Sequence, residues 1–308
     1  MGVFNALLRY RVLFALAVLA CGGAFFVLNV VSRDADPTPQ SPGVTSSLPA
    51  STATTPGTEA TTTQSNSSYA YVALGDSYAA GEGLAPYIEG TDTPPAGDDC
   101  HRSQTQSYVE AVAAAVNATR VMFVACSGAQ TANIFQSEQR SGAGVQAPQG
   151  LLDATTRLVT ISIGGNDMEF SNVVAFCIKT THCNTAEYTP NDQPAHGTSA
   201  PLGSWAAYQL DRLHGRLHDV FAEIHQRAPQ ARVLVVGYPH LFGDTPSHDS
   251  ACQQLYSLVD SDKRSSLNGL ADALNATIQL AAQETGAQYV DVASFFKGHE
   301  PCALAASG

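Results

Sequence analysis

The sequence predicts an α/β domain built on a parallel sheet of roughly five strands, with helices on both faces. Three observations carry that prediction. Short apolar runs alternate with amphipathic stretches along the chain. The runs are apolar at nearly every position rather than every second one, as strands covered on both faces are. Three of them lead straight into short polar motifs rich in glycine. With 308 residues, 44% hydrophobic and 14% charged, the chain has enough apolar material for a sizeable core. No internal repeat is visible.

The first segment stands apart from this pattern. Arg9 and Arg11 precede a run over 12–31 that is free of charged residues and apolar but for Asn29, about the 20 residues that a helix needs to span a bilayer. Basic residues before the run, with Asp34 and Asp36 after it, put 1–11 in the cytoplasm. The reading is an uncleaved signal anchor. Cleavage after Ala20 is one alternative, and lipidation of Cys21 behind Val18-Leu19-Ala20 is another. Against both, Ala24-Phe25-Phe26-Val27-Leu28 prolongs the apolar run where a polar mature start is usual. All three readings export the rest of the chain. Residues 32–68 are Pro, Thr, Ser, Gly and Ala with almost no large apolar side chain, a composition that cannot offset its ordering entropy. They are expected to form a disordered stalk whose ends sit roughly 30–35 Å apart.

The domain then occupies 69–308. Strands are expected at Tyr71-Val72-Ala73-Leu74, Val121-Met122-Phe123-Val124, Leu158-Val159-Thr160-Ile161-Ser162-Ile163, Val233-Leu234-Val235-Val236 and Tyr289-Val290-Asp291-Val292. One helix follows Trp205, with Leu210, Leu213, Leu217, Val220, Phe221 and Ile224 on its apolar stripe. Another carries Leu267, Leu270, Leu274, Ile278 and Ala281 and stops at Gly286. From Phe176 to about Ser204 neither period fits, and a long loop is expected, of the kind that is usually functional or mobile. Asn66, Asn117 and Asn275 each begin an Asn-x-Ser/Thr sequence, a weak sign of glycosylation.

The formal net charge is -12. Nucleic-acid binding needs clustered Lys and Arg, and no such cluster is present, so a nucleic-acid partner is not expected. Of the seven cysteines, all but Cys21 lie beyond the apolar run: Cys100, Cys126, Cys177, Cys183, Cys252 and Cys302. An even set in an exported chain reads as three disulfides, with 15 pairings open. No Cys-x-x-Cys pair suggests zinc.

Ligands of open parallel sheets sit at the carboxyl ends of the strands. Gly75-Asp76-Ser77-Tyr78 ends the first strand, Cys126-Ser127-Gly128-Ala129 follows the second, and Gly164-Gly165-Asn166-Asp167 follows the third. Gly298-His299-Glu300 comes after the last. Singly, each is an ordinary cap or turn. Together they supply what acyl transfer requires. Ser77 can present its hydroxyl to a carbonyl carbon. The N–H groups of Ser77 and Gly128 and the side-chain amide of Asn166 can hold the oxyanion, each such donor being worth on the order of 10²–10³ in rate. His299 can take the serine proton and return it to the leaving alkoxide.

These motifs in this order resemble the SGNH or GDSL-like hydrolase superfamily, over essentially the whole exported domain. The likeness is closest to secreted actinomycete esterases, lipases and phospholipases. It extends to Gly81-Glu82-Gly83, Cys100-His101-Arg102-Ser103, Phe170, Gly237-Tyr238-Pro239 with Leu241-Phe242, and Gly298-His299 with Cys302. The resemblance implies a three-layer α/β/α, flavodoxin-like fold. It also implies the pairs Cys100–Cys126, Cys177–Cys183 and Cys252–Cys302. In one respect the sequence departs from the pattern. Many members carry Asp three residues before the histidine, and Phe296 stands there. The Phe296 backbone carbonyl is expected to orient the imidazole, as in similar actinomycete enzymes, with the Asp291 carboxylate as the alternative.

The function expected is therefore hydrolysis of carboxylic esters, lipids foremost, by a monomer outside the membrane that needs no cofactor or metal. Glycan O-deacetylation and acyl transfer to an acceptor other than water use the same machinery. The rival from another class is a surface-binding module that keeps the fold without the chemistry. Other constellations fit poorly. Ala79 stands where the Gly-x-Ser-x-Gly elbow needs glycine, Gly81-Glu82-Gly83 lacks the third glycine of a dinucleotide site, and His214 with His218 lacks a third metal ligand.

Overall fold

The computed structural model describes residues 69–94, 97–139, 142–191, 197–300 and 302. The expected cytoplasmic terminus, anchor and stalk, with Cys21 and Asn66, lie outside the described residues. In chain order the elements are β1 (Ala70–Gly75), α1 (Ser77–Ala80), α2 (Tyr108–Ala115), β2 (Arg120–Phe123), α3 (Ala132–Phe135), β3 (Thr156–Ser162), α4 (Phe170–Lys179), β4 (Glu187–Tyr188), β5 (Ala200–Pro201), α5 (Leu202–Arg227), β6 (Arg232–Val236), α6 (Ser250–Leu258), α7 (Ser261–Glu284), β7 (Gln288–Val290) and α8 (Val292–Phe296).

Five strands make one parallel sheet in the order β2-β1-β3-β6-β7. This is the doubly wound flavodoxin-like order, whose switch point lies where β1 meets β3. Side chains alternate between two cores because successive residues of a strand face opposite ways. On one face Val72, Leu74, Val159, Ile161, Val233 and Val235 pack with α5 and α7. On the other Tyr71, Ala73, Leu158, Leu234 and Val236 meet α2 and α8. The result is three layers, helix on sheet on helix. Each such side chain fully buried contributes about 1.5–3 kcal/mol of transfer free energy. β2 lies at the edge with Arg120 and Val121 exposed, which is why its run reads as less uniformly apolar.

Two expectations need correction. The loop expected from Phe176 begins inside α4, which buries Val173, Val174 and Cys177. Its remainder holds a small antiparallel pair, β4 with β5. The last strand stops at Val290 rather than Val292, because the Asp291 side chain caps α8 by accepting from the Ser294 N–H. The disulfides are Cys100–Cys126, Cys177–Cys183 and Cys252–Cys302, the pairing that the resemblance implies. Among the described residues no helix is long and apolar enough to cross a membrane.

Candidate active site

β1 ends in a sharp turn that only glycine permits. Gly75 has φ +129, and a Cβ there would lie 2.5 Å from the Ser162 carbonyl oxygen of β3. The Asp76 N–H donates to that carbonyl at 2.8 Å. A buried side-chain amide completes the turn. The Gly75 N–H donates to Gln146 Oε1 (2.8 Å), and Gln146 Nε2 donates back to the Gly75 carbonyl (2.6 Å). Gln146 thus stands in for a neighbouring strand.

The chain then enters α1 with Asp76 as its N-cap, Oδ1 accepting from the Tyr78 N–H at 3.0 Å. Ser77 is the first helical residue, where the backbone N–H has no partner within the helix. Neither that N–H nor Oγ makes a hydrogen bond among the described residues. The Cys126-Ser127-Gly128-Ala129 turn is stitched alongside. The Cys126 N–H donates to the Gly75 carbonyl (3.0 Å), and the Ser127 N–H to the Cys100 carbonyl (3.1 Å). Gly128 has φ +82, and its N–H is likewise unpaired among the described residues. Asn166 comes from the turn after β3, and its Nδ2 donates to the Ala129 carbonyl at 2.9 Å. An amide nitrogen carries two hydrogens, so one remains for another acceptor.

Ser77 and Asn166 line one cleft of about 120 Å³, walled by Phe170, Val174, Ile178, Leu241 and Leu274. At roughly 10–15 Å³ per water-sized group, this space takes a chain of several atoms. Its walls come from α4 and α7 and are overwhelmingly apolar.

A buried polar bridge among Asp76, Gly165 and Tyr238 forms part of the lining of the cleft. The Tyr238 hydroxyl donates to Asp76 Oδ2 at 2.5 Å and accepts from the Gly165 N–H at 3.0 Å. The Tyr238 peptide is clasped by Asn275 of α7, whose Oδ1 accepts from the Tyr238 N–H (2.8 Å) and whose Nδ2 donates to its carbonyl (2.7 Å). Asn275 is only 8% exposed, so its Asn-x-Thr sequence marks a buried clasp and not a glycosylation site. Burial pushes the Asp76 carboxyl up to about 7, against the hydrogen bonds from Tyr238 and Tyr78 that favour its charged form. Tyr238 is held well above the ordinary phenol value, by burial and by the Asp76 charge.

The histidine segment sits apart. His299 is exposed, just beyond α8, and its backbone N–H donates to the Phe296 carbonyl at 2.7 Å. Among the described residues no hydrogen bond joins His299 to Ser77. Asp291 is committed elsewhere: Oδ1 accepts from the Ser294 N–H (3.1 Å) and Oδ2 from Ser294 Oγ (2.5 Å). Other histidines meet carboxylates as well: His101 Nδ1 lies 2.7 Å from Glu82 and its Nε2 lies 3.4 Å from Asp99 and 3.9 Å from Asp92, and His240 Nε2 lies 2.6 Å from Asp272. His214 Nε2 lies 2.8 Å from Glu284, and His218 lies 3.6 Å from Asp219. Among the described residues no cluster of three or more His, Cys, Asp or Glu side chains is arranged to hold a metal.

The structure therefore brings Ser77, the Gly128 turn and Asn166 to one place and leaves His299 outside hydrogen-bond reach. Sequence reasoning missed Gln146 altogether, took Asn275 only for the start of a glycosylation triplet, and noted Tyr238 only as part of a matching motif.

Residues 73–306 match the GDSL-like lipase/acylhydrolase family, covering most of the chain. The chain belongs to that family. Lipase 1 of Streptomyces coelicolor is 32% identical over 232 residues, 75% of this chain and 72% of its own length. Among solved structures, phospholipase A1 of Streptomyces albidoflavus superposes with a TM-score of 0.57 at 30% identity, covering 76% of this chain and 84% of that one. An extracellular lipase of Streptomyces rimosus gives 0.53 at 29% identity, covering 77% and 86%. The expectation of a carboxylic ester hydrolase stands with membership of the GDSL-like family, as does the α/β/α fold.

Proposed function

We propose that this GDSL-like hydrolase cleaves acyl esters of lipids through an acyl-enzyme on Ser77, with His299 as general base. Ser77 Oγ attacks the carbonyl carbon while its proton passes to His299. The oxyanion is held by the N–H groups of Ser77 and Gly128 and by the spare hydrogen on Asn166 Nδ2. Collapse breaks the ester bond, and the leaving alkoxide takes the proton from His299. Water, deprotonated by the same imidazole, then attacks the acyl carbonyl and frees Ser77. Catalytic hydrogen bonds are often long before substrate binds, so the separation of His299 from Ser77 is consistent with these roles. The engagement of both Asp291 oxygens by Ser294 favours the Phe296 carbonyl as the group that orients the imidazole.

The observation that carries the reading is the apolar cleft opening beside an unpaired serine with unpaired N–H groups around it. Its length and lining suit a fatty acyl chain better than an acetyl group, and they favour lipid esters over acetylated glycans. Three disulfides support an extracytoplasmic site of action, since they persist in oxidising compartments. In this reading 12–31 anchors the enzyme and 32–68 spaces it from the membrane.

The test is hydrolysis of a chain-length series of p-nitrophenyl esters by the full chain and by its Ser77→Ala variant. The expected result is a loss of about a thousandfold or more in kcat and a wild-type optimum at medium or long chains. An acetyl optimum redirects the substrate to acetylated glycans. A folded, disulfide-bonded protein that hydrolyses nothing, or a variant as active as the parent, overturns the serine hydrolase.

A further inference from the structure

The Asp76–Tyr238–Gly165 bridge belongs to no step of that reaction, yet it joins the two turns that must cooperate in it. One end is the residue preceding the nucleophile, and the other is the residue preceding the oxyanion donor Asn166. The two turns come from neighbouring strands, β1 and β3, and a third strand, β6, supplies the link between them. We propose that Tyr238 is a positioning residue whose hydroxyl, donating to Asp76 and accepting from Gly165, fixes the spacing between Ser77 and the oxyanion donor Asn166. This rests on the reading of Ser77 as nucleophile.

The geometry gives the hydroxyl no freedom to serve otherwise. Its hydrogen is spent on Asp76 Oδ2 and a lone pair on the Gly165 N–H. The ring is held edge-on against Tyr78, with centroids 5.0 Å apart at 84°. The peptide at its base is gripped at both polar atoms by Asn275. A side chain held at ring, hydroxyl and backbone transmits position between the groups it touches. Positioning of this kind acts on the transition state: a displacement of about 1 Å costs roughly a hundredfold in rate while leaving ground-state binding intact.

The same bridge sets the charge beside the nucleophile. The titratable groups facing Asp76 are Tyr78 and Tyr238, with Tyr108 and Asp167 interacting through space. The Tyr238 hydrogen bond opposes the upward push of burial on Asp76, so removing it raises that carboxyl further. The bridge needs Asp76 ionised as the acceptor, so in the parent protonation of Asp76 breaks it and lowers the rate, whereas a variant without the hydroxyl has no bridge to break and that step drops out of the acid limb.

The experiment is steady-state kinetics of Tyr238→Phe across pH on one p-nitrophenyl ester, beside the parent and Ser77→Ala. The Phe variant keeps the ring packing and removes only the hydroxyl. The expected result is a kcat lower by about ten- to a hundredfold, a KM within about twofold of the parent, and an acid limb that lacks the Asp76 step. A variant with parental kcat per folded molecule, whatever its melting temperature, overturns the proposal and leaves a structural tyrosine. So does an acid limb identical in shape to the parent's, or a KM that absorbs the whole effect. If the Phe variant does not fold, 3-fluorotyrosine at position 238 replaces it. Its stronger donor moves the limb to lower pH if the proposal holds, and an unmoved limb overturns it. Loss of activity in Ser77→Ala with parental behaviour in Tyr238→Phe defeats this inference alone, whereas an active Ser77→Ala defeats the hydrolase reading beneath it.

Discussion

A buried carboxylate adjoins Ser77, and its proton affinity has a measurable consequence for the fold. Asp76 is raised from an ordinary 3.8 to about 7, chiefly by burial. Between those values the folded chain holds a proton that the unfolded chain has released. The stability this group contributes is therefore complete below pH 4 and is lost as pH rises through about 7. At ~1.4 kcal/mol per unit the swing is on the order of 4 kcal/mol. Asp76→Asn removes it, so urea unfolding should show the variant gaining on the parent from pH 4 to pH 8; a difference that stays flat with pH contradicts the assignment. Single residues were also where the sequence was hardest to interpret. Ser77, Gly128 and Asn166 could be picked out as candidates because each stands where an apolar run meets a polar turn. Gln146 gave no sign, because it acts from a loop on a strand 71 residues away and fits no period. Asn275 even misled, since its triplet mimics a glycosylation sequence while its side chain is buried.

Among the elements, legibility followed length and burial. β1, β3 and β6 are covered on both faces, and α5 and α7 carry stripes of several turns, so their patterns are unmistakable. α4 spans only ten residues and buries three of them, too few to show a helical period against a polar background. The end of β7 was misread because Val292 continues the apolar alternation, whereas Asp291 has already begun a helix. The clasp on β1 is testable at this scale. Gln146→Ala leaves the buried Gly75 N–H without an acceptor, while the Gly75 carbonyl keeps the Cys126 N–H. A stability loss of about 1–3 kcal/mol is expected, read as a lower urea midpoint, and an unchanged midpoint shows that the turn stands without its clasp.

Across the whole molecule, the order of strands and the layering were foreseeable, but the positions of distant segments relative to one another were not. Periodicity says nothing of which loop meets which, and six cysteines alone leave the pairing open. The bridges close loops of very different size, with sequence separations of 50 for Cys252–Cys302 and 6 for Cys177–Cys183. On chain entropy the first constrains the unfolded chain by about 4 kcal/mol and the second by about 2. Paired serine substitutions should lower the unfolding midpoint in that ratio, and equal losses contradict the entropic account. The larger bridge has a second effect. Cys302 follows His299 by three residues, and besides its disulfide to α6 its carbonyl accepts from the Ser247 N–H at 2.7 Å. The segment bearing His299, the proposed general base, is thus moored by an oxidation event on otherwise independent scaffolding. Cys252→Ser with Cys302→Ser should keep the circular-dichroism spectrum of the sheet and lose most of its esterase activity. On the proposed mechanism, a nascent chain, still reduced, would then be a hydrolase whose base is unmoored, armed only by the oxidation that closes this bridge.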